Sequence, residues 1–389
     1  MFANLLKKVK KLLKKIYNSL VQFILFNFFK IDEKKIVFDN FNGKGYGCNP
    51  KYIAEELIRQ NINCDMVWLV EDFAEEMPSQ IRKAKYGSLK SMYELATARL
   101  WIDNVRNYKG IPKREGQFYI QTWHAGLGLK KVEKDIEKSL SPEYVKDAKN
   151  DGKITDLMLS NCKFITDLYR KSYWYEGEVL EEGFPRNDIL INIPKHVKEK
   201  VYKYFDINDE KSLVIYAPTF RKNLDMDVYK FSYQKCIAEL NKKFCKQYIM
   251  LIRLHPNIAQ YNNLISYSDN VLDATNYPDI QELLAACEVG ITDYSSIMFD
   301  LSMIGKKVFL FGKDLDIFKE KERDLEFQIE ELPFPFAKSE EELFSNISNF
   351  SEEDYEIKCK KFYDKLGAIN PPNASEKVVD IIKTKIKGA

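Results

Sequence analysis

Five short stretches of this 389-residue chain put phosphate-handling side chains directly behind apolar runs. In Ile120–Lys131, IQTWHAGLGLKK, His124 closes such a run beside Trp123 and opens a small-residue loop that ends in paired lysines. It is one of only three histidines in the chain. In Ile249–Pro256, IMLIRLHP, the run ends in Arg253 and His255. Residues two apart on a strand share a face, so both can address one ligand, and Pro256 stops the strand. The plain alternative is a strand-end histidine satisfied by a backbone carbonyl. In Ile215–Arg221, IYAPTFR, Thr219 and Arg221 share a side in the same way. Arginine suits bidentate contact with phosphate; a surface arginine on a turn is the alternative.

In Val289–Asp300, VGITDYSSIMFD, a strand ends near Thr292 and a helix opens at Ser295 and Ser296. Serines there cap free backbone N–H groups, and those N–H groups with two hydroxyls form an anion site. Asp300, one turn on, is placed to accept from sugar hydroxyls; otherwise it is a solvated aspartate on a capped helix. Glu181–Asp188, EEGFPRND, is a tight turn carrying Arg186, either a hinge or a cleft-lining loop. Together these stretches place one histidine in the first half of the chain and an Arg/His/Ser/Thr anion cradle in the second.

Composition narrows the chemistry. Basic and acidic residues nearly cancel, 60 against 58, which argues against a nucleic-acid partner. Three histidines and seven scattered cysteines without a CxxC leave no metal centre and no disulfide framework, as in a reducing compartment. No cofactor is expected. Charge on a departing phosphate group would then be neutralised by side chains and helix ends.

The elements that must position these residues read as α/β. Strands are expected at Lys35–Asn40, Asp65–Val70, Leu100–Asn104, Phe118–Thr122, Asp156–Ser160 and Val179–Glu182. A second set follows at Ser212–Ala217, Tyr248–Leu254, Asn270–Asp273, Val289–Thr292 and Lys307–Phe311. Most runs are continuously apolar, as parallel strands buried on both faces are. Helices separate them, for example at Pro50–Gln60, Ser141–Asn150, Tyr229–Phe244 and Pro278–Cys287; others are expected at Glu322–Leu332 and over most of Ser339–Lys385, with a break at Pro371 and Pro372. Two doubly wound, Rossmann-like domains follow, 32–195 and 196–389, with the final helix a candidate to cross back. In such sheets ligands bind at the carboxyl ends of the strands, where the five stretches lie. Gly43, Gly45 and Gly47 follow the first strand but form neither GxGxxG with its acidic partner nor a Walker loop.

Residues 1–31 differ from the rest. Apolar residues recur at helical spacing, and Lys7, Lys8, Lys10, Lys11, Lys14 and Lys15 fill the opposite face. The following apolar run, Leu20–Phe29, is too short to span a bilayer. This reads as a basic amphipathic helix on an anionic membrane surface, or else as a helix packed on the protein's own body. It and the helical C-terminus both offer surface for a homo-oligomer.

In this order, QTWHAGLGLKKVEKD, GFPRND, YAPTFR, IRLHP and ITDYSSIMFDLSMIGKKVFLF resemble the CDP-glycerol glycerophosphotransferase family of teichoic-acid and capsule enzymes. The resemblance implies a GT-B fold. It implies transfer of glycerol phosphate, with ribitol phosphate as the second choice, from a CDP-polyol to a hydroxyl acceptor, releasing CMP. The implied acceptor is linked to undecaprenyl diphosphate, and the implied place is the cytoplasmic face of the membrane, peripherally. Carried over by motif, His124 beside Trp123 becomes the general base. His255 contacts the donor diphosphate with Arg253, Thr219 and Arg221, the two serines supply donors, and Asp300 holds donor hydroxyls. The run Ala125–Gly128 departs from the commonest family pattern, tryptophan–histidine–glycine followed by threonine–proline, which bears on the acceptor. The length suggests a primer-type or capsule transferase. The rival reading is a GT-B glycosyltransferase or epimerase acting on a nucleotide-sugar.

Overall fold

The computed structural model describes residues 16–106, 111–222, 224–321 and 324–387. Lysines 7, 8, 10, 11, 14 and 15 lie outside them. Two parallel sheets carry the molecule. The first holds β1 (Asp32–Phe38), β2 (Asp65–Val70), β3 (Ile81–Lys85), β4 (Ala98–Asp103), β5 (Phe118–Gln121), β6 (Leu157–Ser160) and β7 (Glu178–Glu181), in the order β3-β2-β1-β4-β5-β6-β7. The second holds β8 (Ser212–Tyr216), β9 (Tyr248–Ile252), β10 (Val271–Asp273), β11 (Val289–Thr292), β12 (Lys307–Phe311) and β13 (Phe336–Ala337), in the order β10-β9-β8-β11-β12-β13. In both, the chain winds out from a central strand in two directions, which opens a crevice where the order reverses. Every residue of β8 and of β9 is buried, because helices cover both faces of the sheet. The two units face one another across a cleft, the GT-B arrangement.

The covering helices are α1 (residues 16–28), α2 (Cys48–Arg59), α3 (Leu89–Thr97), α4 (Pro142–Ile154), α5 (Lys163–Ser172), α6 (Asp188–Ile191) and α7 (Lys195–Tyr204) around the first sheet and the crossing. Around the second are α8 (Tyr233–Phe244), α9 (Ile280–Ala286), α10 (Ile297–Ser302), α11 (Leu315–Lys321), α12 (Glu340–Ser348) and α13 (Glu352–Leu366). Finally α14 (Ala374–Lys385) lies against α2 and adds Val378, Val379 and Ile382 to the core of the first sheet. The carboxylate of Asp188 caps α14, accepting from the backbone N–H of Ala374 at 2.9 Å and of Ser375 at 2.8 Å.

Two strands and one helix differ from expectation. β3 is an edge strand, IRKAK, whose charged residues stay in water, so it carries no apolar run. β13 is only two residues long. Of the helix expected at Glu322–Leu332, residues 322 and 323 lie outside the described ones, 324–328 are not helical, and a single 3-10 turn forms at Ile329–Glu331. Its buried residues, Leu325, Phe327 and Ile329, alternate with less buried ones, a period of two rather than the helical 3.6.

Candidate active site

Loops from both units close on a cavity of about 460 Å³. The first unit supplies Trp123, His124 and Lys130 from the loop after β5; the second supplies Thr219, His255, Ser295 and Ser296 from the loops after β8, β9 and β11.

The two histidines are set in opposite tautomers by their backbone partners. Nδ1 of His124 lies 2.8 Å from the carbonyl oxygen of Asn104, just after β4. A carbonyl only accepts, so Nδ1 carries the hydrogen and the basic nitrogen of the neutral ring is Nε2. Nδ1 of His255 instead accepts from the backbone N–H of Asn257 at 3.2 Å. The proton of its neutral ring therefore sits on Nε2, which can donate. Surrounding protein, aided by the charge of Lys130, pushes the His255 pKa below the ordinary histidine value, although the ring edge is exposed at the cleft.

His124 is held between aromatic rings, Trp123 at 4.8 Å and Phe41 at 5.3 Å. Trp123 has a φ of 54°, a left-handed conformation that costs a bulky residue energy. Its surroundings enforce it. Gln121 Oε1 accepts from the Trp123 N–H at 3.0 Å, and Asn49 Nδ2 donates to its carbonyl at 3.0 Å. The buried Arg106 guanidinium stacks 5.5 Å from the indole while itself paired with Glu133 and Asp151, each at 3.0 Å.

Four of the expected site residues lie behind the cavity wall. Arg221 is buried between Asp293 at 2.8 Å and Asp314 at 2.7 Å. Asp293 also accepts from the backbone N–H of Thr219 at 2.8 Å, so this cluster ties the β8 loop to the β11 loop. Arg253 does not share the cavity with His255: it donates to the carbonyls of Ala274 and Tyr277 at 3.1 and 2.6 Å and shapes the loop after β10. The strand ends at Ile252, so the two-residue face rule stops applying before His255. Asp300 accepts from Arg186 at 2.6 Å and from Asn187 at 3.1 Å. That clamp joins the two units through the Gly183 turn, whose φ of 91° favours glycine. Ser296 starts α10 without a side-chain cap, and its hydroxyl is not spent on the helix.

Asn104, Lys130 and Asp293 were not singled out from the sequence. Asn104 and Asp293 are polar residues ending apolar strands, the signal that flagged the others. Lys130 is one of the paired lysines, and nothing in its spacing separates it from a surface charge.

A family model described as CDP-Glycerol:Poly(glycerophosphate) glycerophosphotransferase matches residues 20–384. The chain belongs to this family. This family member is 28% identical to a teichoic acid poly(glycerol phosphate) polymerase of Bacillus spizizenii, over 98% of this chain and 99% of that protein. It is 30% identical to the enzyme of the same name from Bacillus subtilis over 97% of this chain, spanning 52% of that longer protein. It is 25% identical to a Staphylococcus aureus teichoic acid glycerol-phosphate transferase, over 95% of this chain and all of that one. A solved structure of the wall teichoic acid polymerase TagF, a variant soaked with CDPG, superposes with a TM-score of 0.85 at 28% identity, covering 99% of this chain and 98% of that one. Proteins of about this length thus carry both polymerase and transferase names, and length does not separate the two. A Listeria monocytogenes structure described as a putative UDP-N-acetylglucosamine 2-epimerase shares the fold alone, at a TM-score of 0.50 and 12% identity.

Proposed function

We propose that this glycerophosphotransferase-family chain moves a polyol phosphate, glycerol phosphate first and ribitol phosphate second, from a CDP-polyol to a hydroxyl of a lipid-linked saccharide, releasing CMP. The observation that carries the reading is the pair of oppositely tautomeric imidazoles facing one cavity from two units. Relatives named for glycerol phosphate and for ribitol phosphate both align along the chain. In the reaction, Nε2 of His124 takes the proton from the acceptor O–H. The acceptor oxygen bonds to the phosphorus bearing the polyol, and the bridging P–O bond breaks with its electron pair leaving on CMP. Nε2–H of His255 and the hydroxyls of Thr219, Ser295 and Ser296 donate to the phosphate oxygens as charge develops. Arg221, Arg253, Arg186 and Asp300 act from behind, by holding the loops that carry these donors.

The test is a turnover and binding panel with CDP-glycerol, CDP-ribitol and UDP-N-acetylglucosamine. One CDP-polyol is expected to turn over, and H124A is expected to lose about 10²–10⁴-fold in kcat while still binding the donor, the range for a lost general base. Preference for the UDP-sugar would replace the reading with the nucleotide-sugar one. Full turnover by H124A would remove the base assignment alone.

The membrane surface belongs to the same reading. No helix of the described residues is long and apolar enough to cross a membrane. Helix α1 buries Leu25 against the first sheet and leaves Ile16, Leu20, Phe23, Ile24 and Phe28 exposed on one face. Arg114 fastens its end, donating to the carbonyls of Phe26 and Phe29 at 3.1 and 2.9 Å. That apolar face is suited to lie at an anionic lipid surface where the acceptor resides.

A further inference from the structure

The loop that carries His124 is anchored in both units. Its start leaves β5 in the first sheet. Its end forms an antiparallel bridge with the second unit, Lys130 opposite Leu325. The backbone N–H of Lys131 donates to the carbonyl of Asp324 at 2.9 Å, and that of Glu326 to the carbonyl of Leu129 at 2.7 Å. Leu129 and Leu325 are both buried, so the bridge is packed as well as hydrogen-bonded. Lys131 adds an ion pair with Asp324.

The bridge carries Lys130 across the cleft. Its ammonium lies 3.5 Å from Thr219 Oγ1 and 5.5 Å from the centre of the Phe318 ring, both in the second unit, and its side chain lines the cavity with His255. A lysine held by backbone pairing and resting on an aromatic face has lost much of its freedom before any ligand arrives. The donor phosphates must meet the Thr219 and His255 loops for the transfer to run. Any ligand there meets Lys130 as well.

We propose that Lys130 is a further catalytic residue, a cation supplied by the first unit to the second unit's phosphate site, which stabilises the charge gathering on the departing nucleotide. The inference rests on the polyol-phosphate transfer proposed above. Lys130 stays protonated throughout. The bridging P–O bond breaks, its electron pair remains on the CMP oxygen, and the ammonium offsets that charge by contact while the acceptor's proton goes to His124. One loop thus carries both the group that removes the proton and the group that stabilises the leaving phosphate. The bridge to Leu325 fixes their spacing.

The experiment compares K130M and K130R with the unaltered chain in CDP-polyol turnover, and follows the three histidines by proton NMR titration. K130M is expected to lower kcat about 100-fold, the scale for one lost preorganised charge contact, with the donor KM changed far less. K130R is expected to recover most of the loss. In K130M the His255 resonance should titrate closer to the ordinary pKa of about 6.5, which reports that the ammonium reaches the His255 side of the cavity, while the kcat loss at little-changed KM separates a catalytic from a structural lysine. The inference is overturned if K130M keeps kcat within about threefold, if K130R falls as far as K130M, or if His255 titrates unchanged. An unaltered chain that transfers nothing from any CDP-polyol overturns the transfer reading and this inference with it.

Discussion

His124 and His255 are the same residue type at the same kind of position, the loop after a parallel strand, yet they are set in opposite tautomers. The difference comes from one hydrogen bond each: a carbonyl against Nδ1 of His124, an N–H against Nδ1 of His255. The His255 environment has a consequence in pH. Its folded pKa lies below the ordinary value, so folding favours the neutral ring. The stability this contributes is complete above the unfolded pKa of about 6.5 and declines as pH falls through that value toward the folded one. A bound diphosphate reverses the preference, because an anion favours the protonated ring. Calorimetric binding of CDP-glycerol in buffers of differing ionisation enthalpy should therefore show proton uptake just below pH 6.5, and H255Q should show none.

At the scale of elements, the arginines expected to grip phosphate hold the loops that line the cavity. Arg221 is 3% exposed and spends its guanidinium on Asp293 and Asp314. R221M would leave two carboxylates at a low-dielectric site without their cation, and is expected to cost about 3–5 kcal/mol of stability in urea unfolding. A variant that lost donor affinity with unchanged stability would return Arg221 to direct phosphate contact. The segment 324–332 teaches the converse point. Its acidic and apolar residues resemble an amphipathic helix by composition, while Leu325, Phe327 and Ile329 keep a two-residue rhythm. The second unit uses that rhythm to bury one face and pair its backbone with Leu129 and Lys131.

Across the whole molecule, two neighbouring sets of polar contacts join the units. Arg186 and Asn187 meet Asp300, and Lys51 and Tyr52 meet Asp279 at 2.5 and 2.9 Å. The last helix crosses to the first unit's core, where Val378, Val379 and Ile382 are buried. The outer face of α1 is the membrane contact proposed above. Leu20 and Phe23 are 57% and 60% exposed, so L20E with F23E should leave the melting temperature unchanged. Burying such side chains contributes roughly 1.5–3 kcal/mol each. The double variant should therefore co-sediment with phosphatidylglycerol vesicles at least about tenfold less well. Equal sedimentation would exclude this face as the membrane contact.

Local order was enough to read most of this architecture. Continuous apolar runs announced the parallel strands, and the polar residues that end them marked the cleft, because the carboxyl ends of such strands all emerge on one side of a sheet. Edge strand β3, charged on its open side, left no such mark. Chemical type alone also named His124, Thr219, His255, Ser295 and Ser296, which do line the cavity. It could not sort the charged residues. Whether Arg221, Arg253, Asp300 or Lys130 faces the cavity depends on which carboxylates, carbonyls and rings the distant chain brings within hydrogen-bonding range. Arg221 waits on Asp314, 93 residues away, and Lys130 on Thr219, 89 residues away. A buried charge takes the partner that tertiary packing delivers, from within the second unit for Arg221 and from across the cleft for Asp300.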